Sequence, residues 1–163
     1  MFLFLIATLF INGWIFYNSS KGTVESHQES DSVTELVKPV IPEKVSQNKE
    51  TTGLFVRKSA HVVEFLCLGV AVCVLVITVK VLFKRSLLGL GMFYVTTVAV
   101  TDEFIQSFTG RTSSVDDIVI DLMGGFVGLL SVWAIYGIYR LIRNKILKSH
   151  RLGGKYYEEN QSS

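Results

Sequence analysis

Hydrophobic residues are gathered into four long runs along this chain. The runs cover residues 1–17, 60–83, 87–108 and 118–139. A hydrocarbon core about 30 Å thick is crossed by roughly 20 helical residues, a length that the last three runs meet and the first approaches. None of the runs alternates polar and apolar residues as a barrel strand does. The pattern therefore predicts an all-α, polytopic membrane protein with a bundle of four transmembrane helices.

The amino-acid composition also indicates a membrane protein. Hydrophobic residues make up 49% of the 163 residues and charged residues 18%, and the mean hydropathy is +0.41. Soluble chains are about 25% charged. A net charge of +2 lacks the concentrated basic face of a nucleic-acid binder, so we predict no nucleic-acid partner. Two cysteines, Cys67 and Cys73, are too few for a disulfide scaffold and are interpreted as apolar packing.

The first run has to be distinguished from a cleaved signal peptide. No Lys or Arg precedes Lys21, whereas signal peptides begin with positive charge. Trp14, Phe16 and Tyr17 lie where a cleavage site needs small residues, and such aromatics are typical of a membrane interface. Residues 1–18 are therefore predicted to form an uncleaved transmembrane helix.

The segment between the first two helices, residues 19–56, is rich in Ser, Thr, Glu, Lys and Gln and holds both prolines, Pro39 and Pro42. Such a composition buries too little apolar surface to fold alone, so we predict a flexible polar linker. Residues 57–141 are predicted to contain the other three helices, and residues 142–163 a basic and polar tail.

The distribution of Lys and Arg sets the orientation. The turn between the second and third runs carries Lys80, Lys84 and Arg85 without an acid, and the flank after the fourth run is likewise basic. Alternating helices bring both segments to one side, and the positive-inside rule makes that side cytoplasmic. We predict a multi-pass protein of the cell membrane, with an extracytoplasmic linker and both termini in the cytoplasm.

Charged and polar side chains are concentrated at the outer ends of three helices. Each charge at the centre of a span costs roughly 2.5–3.5 kcal/mol on insertion scales, so such residues usually have a partner or a task. We predict that they form an outward-facing pocket and are its binding residues. The candidates are Arg57, Lys58, His61, Glu64, Asp102, Glu103, Gln106, Arg111, Asp117 and Asp121.

Helical periodicity places several of these side chains on common faces. Arg57, His61 and Glu64 follow the spacing i, i+4, i+7 and are predicted to share one stripe of the second helix. Asp102 and Gln106 are four residues apart and share a face of the third helix. Both faces carry their polar residues at the level where the three helices bring their polar ends together.

The fourth helix carries carboxylates and glycines on a single stripe. Asp117, Asp121, Gly124 and Gly128 follow i, i+4, i+7, i+11. Glycines on one face let a neighbouring helix approach closely in lipid, so Gly124 and Gly128 are predicted to be packing residues. Ser114, three residues before Asp117, is predicted to be the N-cap of this helix.

The candidate residues carry an excess of negative charge. The bases Arg57, Lys58 and Arg111 stand against five acids, which are Glu64, Asp102, Glu103, Asp117 and Asp121. A bound cation, protonated carboxylates or a protonated His61 would relieve this excess. A carboxylate-rich metal site could use His61, Glu64, Asp102 and Asp121, but no H-E-x-x-H or comparable spacing is present. We therefore predict no metal and no cofactor.

Two segments resemble the motifs of one family. R-K-S-A-H-V-V-E-F at residues 57–65 and T-D-E-F-I-Q-S-F at residues 101–108, followed by Gly110-Arg111, Asp117, Asp121 and Gly124, resemble the VanZ-like family. Its founding member is linked to resistance to the glycopeptide teicoplanin. The resemblance covers about residues 54–130 and implies a four-helix plan. Thr109 stands where the family usually has a proline, which would pre-set the backbone of the turn.

Three functions are compatible with these features. The first is an envelope protein whose pocket binds membrane lipids, either a lipid headgroup or a cell-wall precursor; the resemblance implies a contribution to teicoplanin-type resistance. The second is an intramembrane enzyme in which His61 and the carboxylates perform acid–base chemistry on a phosphorylated lipid carrier, with Arg57 and Arg111 holding phosphate. The third is an ion- or proton-coupled transporter, disfavoured because no span has ionisable residues in its inner half. The residues leave open whether the protein is an enzyme.

Overall fold

The computed structural model describes residues 1–22, 25–26, 28, 33, 49–110 and 114–161. These residues form four long helices. They are α1 (Phe2–Ser20), α2 (Lys49–Phe83), α3 (Leu88–Phe108) and α4 (Val115–Gln161). Each is long and apolar enough to cross a membrane, which confirms the predicted all-α, polytopic bundle. Most of the predicted linker, and Arg111, lie outside the described residues.

Two helices extend far beyond the apolar runs, by ten residues or more. Helix α2 begins at Lys49, inside the segment predicted as linker, because Thr52 and Val56 lie one turn apart and are both buried. Helix α4 continues to Gln161 and so includes most of the predicted tail. No proline interrupts α4, and the Arg, Lys, Leu and Ile residues that follow the apolar run include strong helix formers.

Helices α2 and α4 pack closely through the predicted glycine stripe. A Cβ atom added to Gly124 would lie 2.6 Å from the carbonyl oxygen of Val62, and one added to Gly128 would lie 2.3 Å from that of Leu66. Both distances are shorter than any contact that a real Cβ makes. The absence of side chains at these two positions therefore allows the two backbones to touch.

The core between the helices is apolar, and the outside of the bundle is apolar as well. Phe65, Leu68, Val95 and Leu129 are fully buried in the interior. The outer faces expose large hydrophobic side chains, among them Phe93, Phe104, Val119, Met123, Val127 and Ile135. This distribution is that of a multi-pass membrane protein.

Short connections fix which helix ends meet. Residues 84–87 join α2 to α3 and residues 109–114 join α3 to α4, so consecutive helices run in opposite directions. The N-terminal half of α2, the C-terminal end of α3 and the start of α4 therefore lie at one end of the bundle. The C-terminal end of α1 joins them, because Ser19 contacts Asp102 there.

Candidate functional site

Three side chains from three helices meet inside this end of the bundle. His61 lies on α2, Asp102 on α3 and Asp121 on α4. The Nδ1 atom of His61 is 3.8 Å from Oδ2 of Asp102 and 3.8 Å from Oδ1 of Asp121. Asp102 is 0% exposed and Asp121 is 1% exposed. We call these three residues the His–Asp cluster; it places an imidazole between two buried carboxylates.

The carboxylate of Asp102 is held on both oxygens. The Ser19 hydroxyl of α1 donates to Oδ1, and the side-chain amide of Gln106, one turn further along α3, donates to Oδ2 at 2.7 Å. The hydroxyl of Thr109 in turn donates to the Ser19 carbonyl oxygen at 3.4 Å. Outer partners of this kind orient a carboxylate and limit its rotation.

Glu103, which follows Asp102, supports the start of α4. One of its carboxylate oxygens accepts a hydrogen bond from the backbone N–H of Ser114 at 3.1 Å. The Ser114 hydroxyl accepts from the Asp117 N–H at 3.2 Å and donates to the Asp117 carboxylate at 3.0 Å. With α4 beginning at Val115, this geometry confirms Ser114 as the N-cap.

The bases lie at the mouth of the site. The ammonium of Lys58 is 2.7 Å from Oδ1 of Asp117, and the Lys58 side chain is 43% exposed. Arg57 lines the same cleft. An exposed ion pair such as that of Lys58 and Asp117 stabilises a fold by only about 0–1 kcal/mol, so it can open for a competing anion at small cost.

Glu64 does not line the cleft, although it shares a stripe with Arg57 and His61 in the sequence. Its carboxylate accepts a hydrogen bond of 2.5 Å from the side-chain amide of Asn18 on α1. Asn18 and Ser19 are site residues that the sequence analysis missed. The sequence could have indicated them, because these two polar residues follow the first apolar run, at the end of the bundle where the other polar residues lie.

The cleft encloses very little space. Its walls are formed by Arg57, Lys58, His61, Glu103, Gln106, Asp117, Ile120 and Asp121. The enclosed volume is about 10 Å³, which is room for one water molecule or a small ion. A larger group can therefore reach the polar residues only at the mouth, beside the two bases.

Within the described part of the chain, the His–Asp cluster is also a group of residues that could hold a metal ion. One ligand atom from each of its three side chains lies within 4.8 Å of the others. An imidazole and two carboxylates suit several divalent cations, and the donors on Asp102 match the outer partners of metal-bound carboxylates. Glu64, the fourth ligand considered from sequence, is absent from this group.

A four-helix membrane protein with a buried polar cluster at one end is the class that the fold and the site define. The model of the VanZ/LLP1 family matches residues 2–140 of the chain. The chain therefore belongs to the VanZ/LLP1 family, which confirms the resemblance and extends it to α1. No curated protein and no solved structure matches the chain.

Proposed function

We propose that this protein is an envelope protein whose polar pocket faces outward and binds the phosphate-bearing headgroup of a lipid-linked cell-envelope group. Through that binding it contributes to glycopeptide resistance of the teicoplanin type. The observation that carries the proposal is the meeting of His61, Asp102 and Asp121 from three helices, with Arg57 and Lys58 at the mouth above them.

The charges divide the site into two levels. Arg57 and Lys58 supply donors for phosphate oxygens at the mouth. Asp121, which lines the cleft below them, accepts a hydrogen bond from a hydroxyl or ammonium group of the same ligand through the one water molecule that fits the cleft. To bind phosphate, Lys58 exchanges its ion pair with Asp117 for one with the ligand.

The surroundings favour a ligand that is anchored in lipid. Phe104 and Phe108 lie on the outside of α3 next to the site, are 62% and 74% exposed, and stack edge to face with ring centres 4.9 Å apart. Exposed aromatic rings at the end of a span are suited to the membrane interface. An acyl or polyprenyl chain can lie along these rings while its headgroup reaches the bases.

A second function, acid–base catalysis on the same ligand, is favoured by the position of His61. An imidazole within 3.8 Å of two carboxylates can exchange a proton with a bound water or with a leaving group. Incubation with a polyprenyl diphosphate distinguishes the two functions. Release of inorganic phosphate would make the protein an enzyme, whereas binding without release would make it a binder.

The binding test uses the purified protein in nanodiscs with a fluorescent polyprenyl phosphate. Lys58→Ala and Asp121→Asn each remove a charged partner, and hydrogen bonds to charged groups contribute about 1.5–3 kcal/mol. We expect each variant to bind about ten to a hundred times more weakly. Met123→Ala is the matched control, because Met123 lies two residues from Asp121 and is exposed on the outer face of α4. The proposal is wrong if the parent does not bind or if all three variants bind equally.

The resistance test uses expression in a teicoplanin-susceptible bacterium. The parent is expected to raise the inhibitory concentration of teicoplanin, and Asp121→Asn is expected to abolish the increase at equal membrane abundance. Met123→Ala should protect as the parent does. Full protection by Asp121→Asn would separate the pocket from resistance.

A further inference from the structure

A second pocket lies between α2 and α4 at the opposite end of the bundle. Its volume is about 450 Å³. Its polar and charged walls include Lys80, Lys84, Tyr136, Tyr139, Arg140 and Arg143. The volume lies within the range of pockets that take small ligands, about 300–1,000 Å³, and is far larger than that of the cleft at the His–Asp cluster.

The two pockets are one membrane thickness apart. Asp121 and Arg140 are 19 residues apart on the same helix (140 − 121). At 1.5 Å per residue this separation is about 28 Å, close to the roughly 30 Å of a hydrocarbon core. The second pocket therefore opens at the other surface of the membrane, at the level of lipid headgroups.

All the charged residues in the wall of this pocket are basic. Four of its wall residues are Lys or Arg, and none is Asp or Glu. Acids are also absent from the neighbouring sequence, because neither residues 65–101 nor residues 122–157 contain one. Four bases around one concave surface attract a multivalent anion strongly where the surrounding lipid lowers the dielectric constant.

Aromatic rings position one of the bases. The ammonium of Lys80 lies 4.1 Å from the centre of the Trp133 ring and 5.8 Å from the centre of the Tyr136 ring. Cation–π contacts of this kind hold the ammonium in place. Tyr136 and Tyr139 add hydroxyl groups in the pocket wall that can donate hydrogen bonds to phosphate oxygens.

Lys84, a wall residue of the pocket, follows the last residue of α2, at a position where helices often have glycine. Its φ is 58°, in the left-handed region, and its N–H donates to the Lys80 carbonyl oxygen at 3.0 Å. Helices commonly end with glycine in this conformation, and another residue there costs about 1 kcal/mol or more. Lys84→Gly therefore removes the charge without disturbing the turn.

We propose that this basic pocket binds the phosphate headgroup of an anionic phospholipid from the membrane. Its position between two spans favours a lipid over free phosphate, because Leu82, Ile135 and Ile138, each adjacent in sequence to a wall residue, expose apolar surface along which acyl chains can lie. Basic pockets between transmembrane helices are known to take such headgroups. The site is independent of the outer cleft and of the function proposed for it.

The experiment uses the full chain in vesicles and the fluorescence of Trp133. Trp14, the other tryptophan, is replaced by Phe so that the signal comes from the pocket. Dibromostearoyl phosphatidylglycerol or dibromostearoyl phosphatidylcholine is added at equal mole fraction, since bromine quenches a nearby indole. Each base near a membrane surface contributes about fivefold in affinity for anionic lipid, so the brominated phosphatidylglycerol should quench Trp133 at least tenfold more effectively.

Two double variants test whether the pocket causes this preference. Lys84→Gly with Arg140→Gln removes two wall bases and should lower the preference at least tenfold. Lys145→Gln with Lys148→Gln removes the same charge from exposed positions of α4 outside the pocket wall and should leave the preference unchanged. Equal quenching by both lipids, or equal losses in the two double variants, would overturn the proposal. So would displacement of phosphatidylglycerol by millimolar inorganic phosphate, which would indicate a soluble ligand.

Discussion

Gly69 of α2 is the described glycine at which an added Cβ would come nearest to another helix, so its replacement by alanine tests the packing of α2 against α4. A Cβ atom at Gly69 would lie 2.0 Å from the Gly125 carbonyl oxygen and 2.9 Å from the Leu129 nitrogen. Ordinary contacts of a Cβ begin at 3.4 Å, and both obstacles are backbone atoms that cannot rotate away. The two helices would have to separate locally by about 1.4 Å, the difference between 3.4 and 2.0 Å.

The cost of that separation has two parts. Overpacking a tight interface costs about 1–3 kcal/mol, and the intrinsic preference of a helix for alanine over glycine returns up to about 1 kcal/mol. We therefore expect Gly69→Ala to destabilise the protein by about 0–2 kcal/mol, and by about 1–3 kcal/mol relative to alanine at a glycine position with open space around it. His61 lies eight residues earlier on α2, so the shift should also weaken the proposed headgroup binding at the cleft of the His–Asp cluster.

The assay is thermal unfolding of the purified protein in detergent. A variant at a second glycine of the same bundle is measured in parallel. Gly137→Ala is the control, because nothing lies within 4 Å of a Cβ atom at that position of α4. The difference of about 1–3 kcal/mol between the two variants corresponds to roughly 2–12 °C in melting temperature for a chain of this size. Gly137→Ala should be neutral or slightly stabilising. A melting temperature for Gly69→Ala at or above that of Gly137→Ala would refute the packing argument.

Three further substitutions test individual hydrogen bonds by the same thermal assay. Tyr94→Phe removes the acceptor of the 3.0 Å bond from Asn12 between α1 and α3 and should cost about 0.6–2 kcal/mol; an unchanged melting temperature would argue against this bond. Ser19→Ala leaves an oxygen of Asp102 without its α1 donor and should cost about 1–3 kcal/mol, with Ser19→Thr retaining most of the stability. Ser114→Ala removes the N-cap of α4 and should cost about 1 kcal/mol, whereas Ser114→Asp should not; equal losses in both would contradict the capping role.

The helices were predictable from sequence because their signal is local. A long apolar run leaves a chain in lipid no other way to satisfy its backbone. The start of α2 was missed because Thr52 and Val56 are buried in the folded chain although they belong to no apolar run. Composition indicates only what a segment could bury alone.

The sequence allowed us to predict that the polar residues lie at one depth of the bundle. It did not allow us to predict which of them contact each other. Periodicity placed His61 and Glu64 on one stripe, yet the first meets Asp121 of α4 and the second meets Asn18 of α1. A stripe on a helix is wide enough to face two neighbours. Which neighbour each side chain meets depends on the rotation and spacing of whole helices, and these are set by distant contacts such as that at Gly69.

The most direct test is whether α2 and α4 bring positions 61 and 121 together. In a chain whose Cys67 and Cys73 are replaced by alanine, His61→Cys is combined with Asp121→Cys and treated with a short bis-methanethiosulfonate reagent. A control chain combines His61→Cys with Met123→Cys, whose α4 position is exposed on the outer face. We expect an intramolecular cross-link between positions 61 and 121 and none between 61 and 123. Equal cross-linking of both pairs, or of the control alone, would contradict it.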